Sequence, residues 1–453
     1  MGFKVLIAGA MLVTVGFGNI CQVYAKSPID AISASNAYAS KAMSENRSES
    51  ASAIAALRSQ AQTGLQEFLN TYGDELKRSQ SQTSTPRSQR LRAVLDAICS
   101  QRDCHASRLY WYTDLELAKA AAKASGKPIL SLRLLGRLDE DLSCANSRFF
   151  RIALYPNAEV SKVLRDRFIL HWQSVRPVPK VTIDFGDGRK LERTLTGNSI
   201  HYILDAEGRP IDALPGLYGP QAFLRMISQA EDFVKNSAKR TGQDREEFLR
   251  QYHRASLVGL QEEWTADLSK LGIALPIPRR IDDRETANSP TAQEAAPLAV
   301  TKMAVEMPIL RSISPDRFQA LVTATNDSLW AKIGQLHTSD ARLDVNSTEL
   351  MRSKNPIAYG VYGNAINKGS SEDKLLRTLP NFERLIAVDT VRNEYLLHAK
   401  IHEWFVEGVS TKDIETLNER VYAQLFLTPS SDPWLGLLPG DAYTAIENEG
   451  MSR

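Results

Sequence analysis

Three groupings in this 453-residue chain carry residue types able to do chemistry. Cys99 and Cys104 are followed directly by His105. In an oxidising compartment the simplest fate of two such close thiols is a local disulfide. A covalent haem motif has two residues between its cysteines rather than four, and there is no companion copy here. Zinc would need a fourth ligand at a finger-like spacing, and none is present. The second grouping is Glu394, His398 and His402, at i, i+4 and i+8 along one face of a helix. Such a trio has metal-ligand chemistry, but Glu403 follows the second histidine instead of the first, so no metalloprotease signature forms. The plainer reading is a polar stripe beside Tyr395, Leu397, Ile401, Trp404 and Phe405. We expect no metal and no cofactor, and keep the trio only as the residues a metal would use. The third grouping is Cys144 with Ser147, where a helix opens after a polar loop.

The elements around these residues are legible from pattern. Lys4 precedes an apolar run from Val5 to Phe17, and Val23-Tyr24-Ala25 has the form of a cleavage site. That is the layout of a secretory signal peptide, and the run is short for a membrane span. Cys21 lacks a lipid-attachment pattern in Gly18-Asn19-Ile20. We expect residues 1–25 to be a signal peptide cleaved after Ala25. The protein would then be exported, periplasmic or secreted, with no integral span. Three cysteines remain, an odd number, so at least one is a thiol or pairs in trans.

Residues 26–108 read as a Ser/Ala/Gln-rich helical segment and linker. Ile54, Leu57, Ala61, Leu65, Phe68 and Tyr72 fall on one continuous helix face, and Leu91 to Ile98 on another. Residues 109–240 alternate. Asp114 starts a helix that Gly126 stops, Ile129–Leu135 is a buried strand, and Ala158–Arg167 a helix. Phe168–Trp172 is a strand, two hairpins follow around Gly186-Asp187-Gly188 and Asp205-Ala206-Glu207-Gly208, and Gln221–Val234 closes the unit as a helix. Residues 241–311 form a long amphipathic helix from Asp244 to Leu271 and a linker over Glu285–Pro308. Residues 312–453 form a mostly α-helical domain starting at the Ser314-Pro315 cap.

That order, with Gly126-Lys127-Pro128 leading into the first strand and Tyr202–Gly208 in the hairpin, resembles the exported branch of the thioredoxin-like family. The likeness covers residues 109–240. The fold class expected is therefore an α/β thioredoxin-like centre between an α-helical N-terminal segment and a mostly α-helical C-terminal domain. The resemblance implies that Cys144 stands where the family has its nucleophilic thiol, activated at a helix N-terminus. Ser147 stands where the resolving cysteine would be, so the motif is Cys-x-x-Ser. Ser199 stands where the family has the cis-proline of its peptide groove. Leu142-Ser143 replaces the usual tryptophan-containing approach. A hydroxyl at Ser147 cannot close an intramolecular disulfide. The expected activity is then thiol–disulfide exchange or isomerisation through Cys144 alone, with Cys99 or Cys104 as conceivable resolving thiols. The alternative is a non-redox binding or assembly module on the same fold.

Composition bounds the partners. Lys plus Arg is 55 and Asp plus Glu 53, so nothing draws the chain to nucleic acid. Protein thiols or extended peptide segments are the partners expected. No phosphate loop, dinucleotide fingerprint or Ser-His-Asp order is visible.

Overall fold

In a computed structural model the described residues are 37–80, 85–195, 197–273, 327–354, 368–408, 413–433 and 435. The expected signal peptide, Cys21, the Glu285–Pro308 linker and the Ser314-Pro315 cap lie outside them.

After a short helical stretch at 37–42, the N-terminal layer is built by α1 (Arg47–Ser59), α2 (Gln62–Gln80) and α3 (Pro86–Cys99). The single helix face expected from Ile54 to Tyr72 is broken. Ala61 takes a left-handed φ of 53°, and Gly64 packs so close that a Cβ there would meet the Leu57 carbonyl oxygen. The chain therefore turns back, and α1 and α2 pack side by side. The apolar spacing persists because both helices face the same cluster, built on Leu57, Leu65, Phe68, Leu91 and Leu95. Helix α3 opens on a reciprocal Thr85/Ser88 capping box with Pro86 in its first turn.

After the short α4 (Cys104–Ser107) comes α5 (Leu115–Ser125). Asp114 caps α5 by accepting from Glu116 N and Leu117 N, and Gly126 ends it at φ 69°. Strand β1 (Ile129–Leu135) is buried along its whole length. Helix α6 (Ala145–Phe149) widens into a π-helical turn over Phe150–Leu154. Pro156 lies between that turn and the Asn157 cap of α7 (Ala158–Arg167). Strands β2 (Ile169–Arg176), β5 (Ser199–Leu204) and β6 (Pro210–Pro215) join β1 in the order β2-β1-β5-β6. The β1–β2 pair is parallel and the other two pairs are antiparallel. The hairpin β3 (Lys180–Asp184) and β4 (Lys190–Thr194) stands apart as a two-stranded sheet. Asp205 builds the β5–β6 turn, accepting from Glu207 N and Arg209 N.

Helix α8 (Pro220–Ser237) packs beside the sheet, and α9 (Gly242–Lys270) is anchored to it by Arg245, which donates to Asp205 at 2.6 Å. The C-terminal elements are α10 (Asp327–Leu336), α11 (Val345–Ser353), α12 (Lys368–Arg392), a π-helical turn Asn393–His398, α13 (Ala399–Glu407), α14 (Ile414–Arg420) and a last π-helical turn Val421–Leu425. These helices share the central core. One buried cluster runs from Leu132, Tyr202 and Phe223 to Trp404, Leu417 and Tyr422. The chain is thus a mixed α/β protein, mostly helical, around a small four-stranded sheet. No described helix is long and apolar enough to cross a membrane.

One ion pair joins the ends of this core. Arg133, in the middle of β1, is 1% exposed, and its guanidinium donates to Glu415 of α14 at 2.6 Å. A buried cation needs such a partner. Replacing Glu415 by Ala should lower stability by about 2 kcal/mol, the cost of stranding a charged donor moderated by the exposure of Glu415. The double variant Arg133→Met/Glu415→Ala should recover part of that loss. Urea-unfolding midpoints of the three proteins check this, and equal midpoints for wild type and Glu415→Ala would refute it.

Candidate functional site

Cys144 follows β1 across the loop 136–143. It occupies the N-cap of α6 with extended backbone (φ −57°, ψ 158°). Its N–H donates to the Leu135 carbonyl and its own carbonyl accepts from Arg148 N. The thiol is 0% exposed and packs within the sheet's core cluster, with Sγ 4.0 Å from the Asn198 carbonyl oxygen. The loop before β5 thus faces Cys144 through Asn198. Ser199 itself is buried, gives its carbonyl to Gly216 N, and has an Oγ without a hydrogen-bond partner. No cis peptide bond occurs among the described residues.

Ser147 does not serve the thiol. Its hydroxyl donates to Ser143 Oγ at 2.7 Å, and Ser143 Oγ also accepts from the buried Arg151. Arg151 pairs with Asp103 at 3.0 Å, tying this corner to the N-terminal layer.

The C-terminal segment roofs the same place. Tyr422 Oη donates to the Asn198 carbonyl at 3.2 Å. Asn198 Nδ2 donates to Thr428 Oγ1, and Arg176 donates to the Thr428 and Asp432 carbonyls. Cys99 and Cys104 form a disulfide inside the N-terminal cluster, a different cluster from that of Cys144. In that state neither sulfur can ligate zinc or haem, nor resolve an adduct at Cys144.

A second constellation is assembled from three distant segments. Asp212 lies in the middle of β6, His253 in α9, and His398 and His402 on the continuous helix that includes α13. All four are buried. Asp212 Oδ1 accepts from His398 Nε2 at 2.8 Å and from Ala213 N at 2.8 Å. Its Oδ2 accepts from Tyr252 Oη at 2.7 Å. His253 Nε2 meets the Ile211 carbonyl at 3.0 Å, and His253 Nδ1 meets His402 Nδ1 at 2.7 Å. The His253 ring stacks on Phe405, centroids 4.1 Å apart. Burial pushes His253 down to about 4 and His402 well below its ordinary value, so both rings are neutral at neutral pH. Burial alone would raise Asp212, but the neighbouring His398, hydrogen-bonded to its carboxylate, outweighs this and holds it below its ordinary range.

The sequence trio is therefore only partly brought together. His398 and His402 meet, with ring centroids 4.1 Å apart. Glu394 does not join them. It faces Glu263 and Arg225, and burial, with the Glu263 charge added, raises it to about 7. The π-helical turn Asn393–His398 breaks the i, i+4 phase on which the trio was read. Sequence reasoning missed Asp212, His253 and Tyr252. An acid flanked by Ile211 and Ala213 in an otherwise apolar strand was a signal for the first. A histidine beside the apolar stripe of α9 was a weak one for the second.

Comparison with protein-family models, with curated proteins and with solved structures gives no match.

The central sheet holds two more buried histidines. His171 meets Ser131 Oγ at 2.8 Å and His201 meets Tyr155 Oη at 2.7 Å. Burial pushes both down to about 3. With the folded value below the unfolded one, their contribution is complete above about pH 6.5 and is lost as pH falls toward 3. Each should add about 1.4 kcal/mol of stability loss per pH unit in that window. His201→Gln should flatten the dependence by that amount. Unfolding by urea at pH 7, 6 and 5 measures it, and an unchanged slope in the variant would count against a neutral buried imidazole.

Proposed function

We propose that this is an exported protein whose central unit is thioredoxin-like and works as a non-redox binding and assembly module. Its C-terminal segment covers the place where the family works on peptides. The observation that carries this reading is the complete burial of Cys144 beside Asn198, which Tyr422 and Thr428 hold from the C-terminal side. A nucleophilic thiol must reach its disulfide, and attack needs access as well as a thiolate. Ser147 is engaged with Ser143 instead of the sulfur, and the Cys99–Cys104 pair is remote. The thiol-exchange reading lacks all three of its working parts in this arrangement.

Other features support the scaffold part of the proposal. The element order over 109–240 follows the order on which the resemblance rests, and a helix at Cys144 follows the central strand. The signal-like N-terminus and the Cys99–Cys104 disulfide agree with an oxidising compartment. Partners are then proteins or extended segments docking on helical surfaces rather than nucleic acid.

Alkylation of Cys144 in the native protein, followed by mass spectrometry, tests this. The thiol should react roughly a hundredfold or more slowly than in urea, because reaction waits on local opening. Fast native alkylation with an apparent pKa well below about 8.5 would sink the proposal and restore thiol exchange.

A further inference from the structure

We propose that Asp212, His253 and His402 form a binding site for a divalent first-row transition-metal cation of the zinc type, with His398 and Tyr252 as the groups that orient it. This goes beyond the reading of Cys144 and does not depend on it.

Geometry comes first. One ligand atom from each of Asp212, His253 and His402 lies within 4.8 Å of the others, and all three residues are buried. Two donors bonded at about 2.0–2.2 Å to one tetrahedral cation sit about 3.4 Å apart, so binding would draw Asp212 in and spread the two rings slightly from their 2.7 Å contact. Two imidazole nitrogens with one carboxylate suit zinc, iron, copper or nickel, and not the oxygen-seeking magnesium or calcium.

Donor chemistry comes second. The Ile211 carbonyl can only accept, so His253 carries its proton on Nε2. The lone pair of Nδ1 then points at His402. A ligating histidine tied at its other nitrogen to a backbone carbonyl is the usual outer-shell arrangement of metal sites. Without a cation, the 2.7 Å contact between the two Nδ1 atoms needs a proton on His402 Nδ1. With a cation, that proton moves to His402 Nε2 and both Nδ1 lone pairs face the metal. Asp212 is prepared in the same way. Oδ1 already accepts two hydrogen bonds, from His398 and Ala213 N. Oδ2 accepts from Tyr252, which leaves one lone pair on Oδ2 for a cation.

There is also a way in. Tyr252 lines an open surface groove with Phe233, Phe248 and Gln251, while its hydroxyl reaches Asp212. Three protein ligands leave a coordination position open, a pattern of reactive rather than closed structural sites.

The test is metal uptake by the full chain, stripped with EDTA and then offered Zn²⁺ or Co²⁺. We expect one equivalent of Zn²⁺ per chain by mass spectrometry, a rise in Tm on binding, and visible Co²⁺ absorption from nitrogen ligands. His402→Gln and Asp212→Asn should abolish stoichiometric uptake. Tyr252→Phe should keep the metal but weaken affinity by roughly 10–100-fold, as loss of an outer-shell partner does. If a variant does not fold, the Co²⁺-loaded wild type decides: its paramagnetically shifted exchangeable protons should include the His253 Nε2 proton. Absence of stoichiometric uptake by the folded wild type would overturn the site, as would equal uptake by both ligand variants. The four residues would then be a hydrogen-bonded network alone.

Discussion

A guanidinium in the middle of the central strand sets the terms for this molecule. Arg133 lies on β1 between its parallel and antiparallel neighbours, almost without solvent. Desolvating that charge is tolerable only with a carboxylate in hydrogen-bond contact. The carboxylate comes from Glu415, 282 positions later in the chain. The C-terminal helices therefore act as part of the sheet's own covering. Trp404, Leu417 and Tyr422 enter the same buried cluster as Leu132 and Tyr202. Once α14 is held there, Tyr422 and Thr428 follow it onto the loop at Asn198, and Cys144 is sealed.

What the sequence revealed follows from the range of each rule. Asp114 and Gly126 mark α5 because a helix end is settled by a few adjacent backbone groups. The run Ile129–Leu135 marks β1 because a fully buried strand is mostly apolar, here with Ser131 and Arg133 as its two polar residues. The Asp205–Gly208 turn is equally local. The break at Ala61 was not legible, since two helices facing one cluster keep the same apolar spacing as a single helix. The burial of Cys144 was not legible, because Tyr422, which holds the loop beside it, lies more than 270 positions away. The Asp212 cluster draws on three segments, and no spacing rule joins a strand residue, His253 and His402.

The buried histidines make this core unusual in kind. Four of the chain's seven, His171, His201, His253 and His402, have their pKa values pushed down by burial and lie in contact with a polar group from another segment. Each is a polar core residue that works only while neutral. Packing and protonation are thereby coupled, and burial keeps the rings of His253 and His402 neutral.

The π-helical turn at Asn393–His398 acts as a phase adjuster. At its first residue, Asn393 donates to the Leu217 carbonyl in the loop after β6. After it, His402 faces His253, and Trp404 and Phe405 enter the core. An α-helix advances about 100° per residue, so an extra residue in one turn offsets everything downstream by that angle. Excising one residue from 393–398 would leave an ordinary helix of nearly the same length and composition. It would also point the wrong side of α13 at the sheet. The registry of a single turn, more than any individual side chain on it, lets one rod meet the β6 loop at one end and the Asp212 cluster at the other.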